Sequence, residues 1–173
     1  MIKLIVSFVQ LSFLLLSSSI LLIGCNPRVD NVKTGFLNLN QYDPNLSGDG
    51  KSLALIVDQN GRPTIQLREV VSGNPLPLRY LSRNQPHSSP SLSWSGRYVA
   101  VITQRRNRRI VVIEDRVQGK LHQISLPHAI SPIRISLSSD ARQIAIQVFD
   151  KGKKRVMLFA LKSIIEPDII GFL

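Results

Sequence analysis

Four arginines stand within five positions, Arg105, Arg106, Arg108 and Arg109, and Lys151, Lys153, Lys154 and Arg155 form a second basic run. Arg62 and Arg83 are the other cations placed so that they could join them. The chemistry such groups offer is attraction of anions, strong at low salt and weaker as screening rises. Solvated charge at hairpin tips is the plainer explanation of the same residues, since Lys and Arg also protect exposed strands. Other constellations are missing. His87, His122 and His128 have no cysteine or acidic cluster beside them, so they are read as loop histidines with satisfied partners and not as metal ligands. There is no Gly-x-Ser-x-Gly elbow, phosphate-binding glycine loop or metalloprotease histidine pair. The acids Asp49, Asp140, Glu69, Glu114 and Asp115 fall at turns or strand ends without forming an acid–base pair. Trp94, beside a turn, is expected to pack on a neighbouring unit, with stacking on a sugar as the alternative. The chain is therefore read as non-catalytic, with no cofactor and no metal.

The basic residues belong to a chain with 22 Lys and Arg against 11 acids, a formal +11, and 43% hydrophobic residues, enough for a packed core. Its N-terminus has a targeting pattern. Lys3 is followed by an uncharged, mostly apolar stretch from Leu4 to Ile23, and then by Gly24, Cys25 and the turn-prone Asn26-Pro27-Arg28. A retained transmembrane anchor would have similar composition. Leu22-Ile23-Gly24-Cys25 resembles the bacterial lipobox, and Cys25 is the only cysteine in the sequence. The resemblance implies that residues 1–24 are removed and that Cys25 is acylated. It further implies that the remainder is anchored on the periplasmic side of a bacterial membrane, with Asn26 slightly favouring the outer membrane. Outside the cytoplasm, a basic surface points to anionic lipids, glycans or acidic proteins, and nucleic acid is not an expected partner.

Self-comparison then reveals a repeat. Ser47-Gly48-Asp49-Gly50-Lys51-Ser52-Leu53-Ala54 aligns with Ser93-Trp94-Ser95-Gly96-Arg97-Tyr98-Val99-Ala100 and with Ser138-Ser139-Asp140-Ala141-Arg142-Gln143-Ile144-Ala145, at offsets of 46 and 45 residues. The register persists at Ile65, Val111 and Val156, and at Leu67, Ile113 and Leu158. Asp49-Gly50 is a strong hairpin turn and Ser95-Gly96 a weaker one, while Asp140-Ala141 predicts either strain or another turn type. Strand-like runs follow at Leu53–Val57, Val99–Thr103 and Ile144–Phe149. Beyond polar breaks come Ile65–Leu67, Ile110–Ile113 and Val156–Phe159. Several runs are continuously apolar, as in strands covered on both faces, and no helical period is evident after residue 25.

Four short strands in about 45 residues make one propeller blade. The Ser-x-Asp-Gly-Lys-x-Leu-Ala turn resembles the WD40-like repeat of TolB-type propellers, with Gly48, Trp94 and Ser139 where that motif usually has Pro. The resemblance covers roughly residues 43–161. It implies an all-β partial propeller of about three four-stranded blades, near 43–81, 89–126 and 131–161, within a domain spanning 43–173. Residues 25–42 would form a tether and edge strand. Three blades do not close a ring, so closure is expected through terminal strands (33–42 and 162–173) or through dimerisation. In a propeller the second-to-third-strand turns share one face with the connections between blades. That face would collect Arg62, Arg83, Arg105, Arg106, Arg108, Arg109, Lys151, Lys153, Lys154 and Arg155, together with His87 and His128. The family resemblance implies a binding role for an envelope protein or anionic envelope polymer, linked to envelope integrity or biopolymer transport. Two alternatives are a structural subunit completing a larger propeller by self-association, and an anionic glycan- or lipid-binding sensor. Peptidases with similar propellers keep their nucleophile in a separate hydrolase domain, which is not expected in this chain.

Overall fold

The computed structural model describes residues 39–81 and 85–168. Cys25, Arg83 and the segments 33–38 and 169–173 lie outside the described residues. Three antiparallel sheets follow one another along the chain. The first is β1 (Gln41–Leu46), β2 (Ser52–Gln59), β3 (Arg62–Glu69) and β4 (Pro75–Leu76). The second is β5 (His87–Leu92), β6 (Tyr98–Arg105), β7 (Arg108–Asp115) and β8 (Lys120–Ile124). The third contains β9 (Ser131–Leu137), β10 (Gln143–Asp150) and β11 (Lys153–Ala160). Among the described residues there is no helix, and the set of blades is open.

Each sequence motif closes the first hairpin of its blade by a local polar exchange. In blade one the Ser47 hydroxyl donates to Asp49 (2.6 Å) and accepts from the Ser52 amide, while the Lys51 amide donates to the same Asp49 oxygen. Ser138, Asp140, Arg142 and Gln143 repeat this arrangement in blade three. In blade two Ser93 accepts from the Tyr98 amide, and Ser95 takes the place of the aspartate. The third turn is the same turn under strain: Ala141 has φ 57° where Gly50 and Gly96 have φ 70°. Its methyl group is buried in the apolar cluster between blades two and three, which offsets part of the left-handed backbone penalty.

Blades stack through two apolar layers. Ala54, Ile56, Ile65 and Leu67 of blade one meet Leu92, Val99, Val101 and Val112 of blade two. The opposite face of blade two, with Tyr98, Ala100, Ile102, Val111 and Ile113, meets Ile135, Ile144, Ile146 and Val148 of blade three. Residues 98–103 are consequently buried on both faces, which explains the continuously apolar run there.

Polar ties run between the innermost strands. The Leu92 amide donates to the Asn45 side chain (2.8 Å), and one blade on the Leu137 amide donates to the Ser91 hydroxyl (2.9 Å). Asn45 and Ser91 hold equivalent places, opposite Ala54 and Ala100. Asp43 and Ser89, at equivalent bulges with φ 50° and 52°, accept from the Ser89 and Ile135 amides. At the motif end Trp94 packs on Gly48 of the neighbouring blade, where a Cβ would overlap the indole ring.

The third sheet differs from the four-stranded expectation, having three strands among the described residues. After Ala160 the chain turns over the core, burying Leu161 and Ile165 between blades two and three. Asp168 then bridges those blades: its amide donates to the Asp140 carbonyl, and its carboxylate accepts from the Ser95 amide and hydroxyl. The end of the 162–173 segment lies outside the described residues, and residues 162–168 supply no strand.

Two glycine substitutions separate backbone strain from packing. Gly50→Ala meets open space and is expected to lower stability by about 1 kcal/mol through its positive φ alone. Gly48→Ala is expected to lower it further, by roughly 1–3 kcal/mol, through collision with Trp94. Urea unfolding midpoints of the two variants check the ranking.

Candidate functional site

The motif turns lie at one end of the blades, tied together by the Asp49 amide to the Trp94 carbonyl (2.9 Å) and the Trp94 amide to the Ser139 carbonyl (2.7 Å). The β2–β3, β6–β7 and β10–β11 turns are at the far ends of the same strands, so they share the opposite end. Arg62, Arg105, Arg106, Arg108, Arg109, Lys151, Lys153, Lys154 and Arg155 are all exposed there. Their partners are few and mostly neutral. Arg109 donates to the Ser88 hydroxyl (2.9 Å), Arg105 to the Gln123 amide oxygen (3.4 Å), and Arg108 meets His128 Nδ1 at 2.6 Å. Asp150 is the acid at this end that pairs, with Arg155 at 3.4 Å.

The turn backbones bear on why cations stand here. Each hairpin has a two-residue tip whose first residue has positive φ: Asn60 at 57°, Arg106 at 55° and Lys151 at 45°. Asn tolerates this conformation, whereas Arg and Lys are strained in it by about 1 kcal/mol.

Beside the Arg109 tip, blades one and two leave a cleft of about 200 Å³ lined by Pro63, Pro86, His87, Ser88, Ile102, Thr103, Gln104 and Arg109. The expectation of a satisfied loop histidine is corrected here. His87 is the first residue of β5 and is buried. Its Nδ1 accepts from the Ile65 amide of blade one (3.4 Å), which leaves the ring proton on Nε2, and Nε2 is buried without a hydrogen-bond partner. Thr103, also buried, reaches the Pro86 carbonyl (3.2 Å) and the Gln85 side chain (3.3 Å). His128 sits in the connection between β8 and β9, exposed at the basic end, and His122 lies on β8. Among the described residues no three His, Cys, Asp or Glu side chains come together as a metal-ligand group.

The acids at the motif end are structural. Glu114, fully buried, accepts from the Arg79, Tyr80 and Leu81 amides at 2.7–3.0 Å and so pins the chain leaving β4. Asp115 accepts from both ends of the Arg97 guanidinium and from the Val117 and Gln118 amides. Burial opposes its charge, but Arg97 and the amides outweigh burial and hold its pKa below the usual value.

No family model and no curated protein matches the sequence. Solved structures do match the fold. A protein assigned as TolB from Agrobacterium tumefaciens superposes with a TM-score of 0.60 at 18% identity, over 72% of this chain and 47% of that one. The β-propeller domain of the Trilobed protease from Pyrococcus furiosus, which has an open velcro topology, gives 0.55 at 14% identity over 76% and 42%. A prolyl endopeptidase gives 0.57 at 18% identity over 78% and 22%. The fold is a TolB-like partial β-propeller. The chain spans less than half the length of each of these structures.

Within this TolB-like propeller, sequence reasoning missed His87 and the inter-blade acceptors Asn45 and Ser91. Pro90 carried a usable signal, because a proline inside a strand marks a bulge, and one occurs between Ser88 and Ser91.

Acidification should destabilise the fold in two stages. Burial lowers the His87 pKa from 6.5 to about 4. Between those values the unfolded chain takes up a proton that the folded chain refuses, so stability falls as pH drops, by up to about 3 kcal/mol. Asp140, held low by the Ser138 hydroxyl and the Arg142 amide, and Asp115 contribute stability above their ordinary value of 3.8, and it is lost as pH falls through their lower folded values. Denaturation at stepped pH should show both stages, and His87→Phe should abolish the decline between pH 6.5 and 4.5.

Proposed function

We propose that the chain is a non-catalytic, membrane-anchored binding module of the bacterial envelope, holding a protein or anionic envelope polymer on its basic end. The observation that carries this reading is the backbone of the tips. Arg106 and Lys151 occupy left-handed positions like that held by Asn60 in blade one, so the cations stand where Asn or Gly would strain the turn less. Solubility alone needs charge somewhere on the surface and not at a strained position. The lipobox-like Cys25 supports the anchor, and export with anchoring supports a periplasmic role. The TolB-like fold is compatible with that role, including one in envelope integrity or biopolymer transport.

The expected result for Arg105, Arg106, Arg108 and Arg109 changed together to Ser is loss of salt-sensitive binding to solubilised envelope components and to anionic polymers. Retained binding after this change removes the reading. Arg106→Gly should raise stability by about 1 kcal/mol while weakening binding, an opposition that circular dichroism and binding titration on one sample can resolve.

A second reading, self-association, is favoured by the outer face of blade three. Val156, Leu158 and Phe149 are 70%, 66% and 48% exposed on one side of β10 and β11. Exposed Ser136, opposite Ala145, holds the place from which Asn45 and Ser91 accept a hydrogen bond from the next blade. A second copy stacked there would bury the apolar face and use that hydroxyl. Sedimentation at high micromolar concentration should give a dimer that Leu158→Lys dissociates, and a strict monomer overturns this reading.

A further inference from the structure

We propose that the basic end is a membrane-docking face: its cations rest on the anionic headgroups of the bilayer that holds Cys25, and the motif end points away from that bilayer. The inference rests on the reading of the chain as a membrane-anchored binding module and names the anion that its basic end meets.

Three observations point to a lipid surface. First, the chain enters the blades at this end. Gln41 pairs with Val57 and the Asn40 carbonyl accepts from the Asp58 amide, so β1 begins beside the β2–β3 tip and runs toward the motif end. Cys25 precedes Gln41 by 16 residues, a separation of at most roughly 55 Å however that stretch is folded. The eight-residue strands add about 25 Å before the motif end is reached. An anchor at Cys25 therefore keeps the basic end near the headgroups and raises their effective concentration there. Second, the cations are spread over the tips of three successive blades: Arg62 on the first, Arg105, Arg106, Arg108 and Arg109 on the second, Lys151, Lys153, Lys154 and Arg155 on the third. Of the acids toward this end, Asp150 pairs with Arg155, Asp43 accepts from the Ser89 amide, and Asp58 is partly buried on β2. Long, exposed cations on separate tips suit headgroups that move laterally and need no fixed pattern, and juxtamembrane basic clusters are drawn to anionic lipid for that reason. Third, apolar side chains stand among these charges. Phe149, beside the blade-three tip, is 48% exposed, and Leu39, where the chain enters, is 39% exposed. Apolar groups flanked by Lys and Arg match the boundary between headgroups and acyl chains.

The test uses the full acylated chain in phosphatidylcholine vesicles, with or without about one-third phosphatidylglycerol, that carry a lipid spin-labelled on its headgroup. Because Cys25 is the only cysteine and is acylated, a cysteine introduced elsewhere takes a fluorophore at one position. Gln104→Cys places it at the basic end, and Val117→Cys, at a residue 75% exposed in the β7–β8 turn, places it at the motif end. In the anionic vesicles the basic-end probe is expected to be quenched about threefold or more beyond the motif-end probe. That difference should largely vanish in neutral vesicles, in 1 M salt, where screening acts within about 3 Å, and when Arg105, Arg106, Arg108 and Arg109 are changed together to Ser. Equal quenching at the two ends, or a difference that salt and lipid charge leave unchanged, overturns the inference while the anchor stands. Saturable binding of polygalacturonate with both probes unquenched assigns the basic end to a glycan and overturns the lipid surface. A chain that floats with neither kind of vesicle removes the anchored reading and this inference with it.

Discussion

A four-stranded sheet this small cannot bury both of its faces by itself, and that constraint organises the molecule. Blade two satisfies it: Tyr98 to Ile102 are shielded on one side by blade one and on the other by blade three. Apolar contact alone leaves the angle and height of each blade loosely specified, because dispersion and burial are weakly directional. Direction comes from the innermost strands. Asn45 and Ser91 each extend a side chain to an amide of the next blade, and the bulges at Asp43 and Ser89 supply a second acceptor close by. Strands of different blades thus exchange hydrogen bonds without merging into one sheet.

How much of this could be read in advance follows from the range of each interaction. The motif turns were legible because Ser47, Asp49, Lys51 and Ser52 satisfy one another within five residues, so the spacing itself encodes the bonds. The continuously apolar run at 98–103 announced a strand covered on both faces. Asp140-Ala141 left two turn types open, and the structure selects the strained one because the Ala141 methyl is needed in the core. The blade-to-blade acceptors were not legible, since Asn45 and Leu92 are 47 residues apart and a polar residue in a short strand reads equally well as solvent-facing. Nor was the break in the third blade: Leu161 and Ile165 suit a fourth strand by composition, but they cap the cluster between blades two and three.

The candidate site was legible in its charges and not in its shape. Sequence placed the cations at hairpin tips, since a polar break between two apolar runs has few other places to go. It gave no hint that His87 would be drawn out of a connection and buried against Ile65, because that position is fixed by the bulge at Ser89 and by the closeness of blade one. The cleft arises from stacking, not from any one segment: Pro63 comes from one blade, and Ile102, Thr103 and Arg109 from the next.

The two ends of the blades differ in how their charges are paired. At the motif end the acids find partners within the fold: Asp168 bridges two blades, Asp115 and Glu166 clamp Arg97, and Glu114 accepts from three amides. The match is incomplete, since the Tyr98 hydroxyl and Arg116 Nε at this end are buried without a hydrogen-bond partner among the described residues. At the other end guanidinium groups rest on neutral hydroxyls, amides and an imidazole, two cations hold strained backbone, and a buried imidazole N–H is left over. The strained backbone and the unpaired donor each lower folded-state stability slightly, and on the proposed reading an arriving anion supplies acceptors to these cations. If the basic end binds as proposed, stability and binding pull in opposite directions there, and the strain at Arg106 and Lys151, more than the count of charges, is what favours that reading.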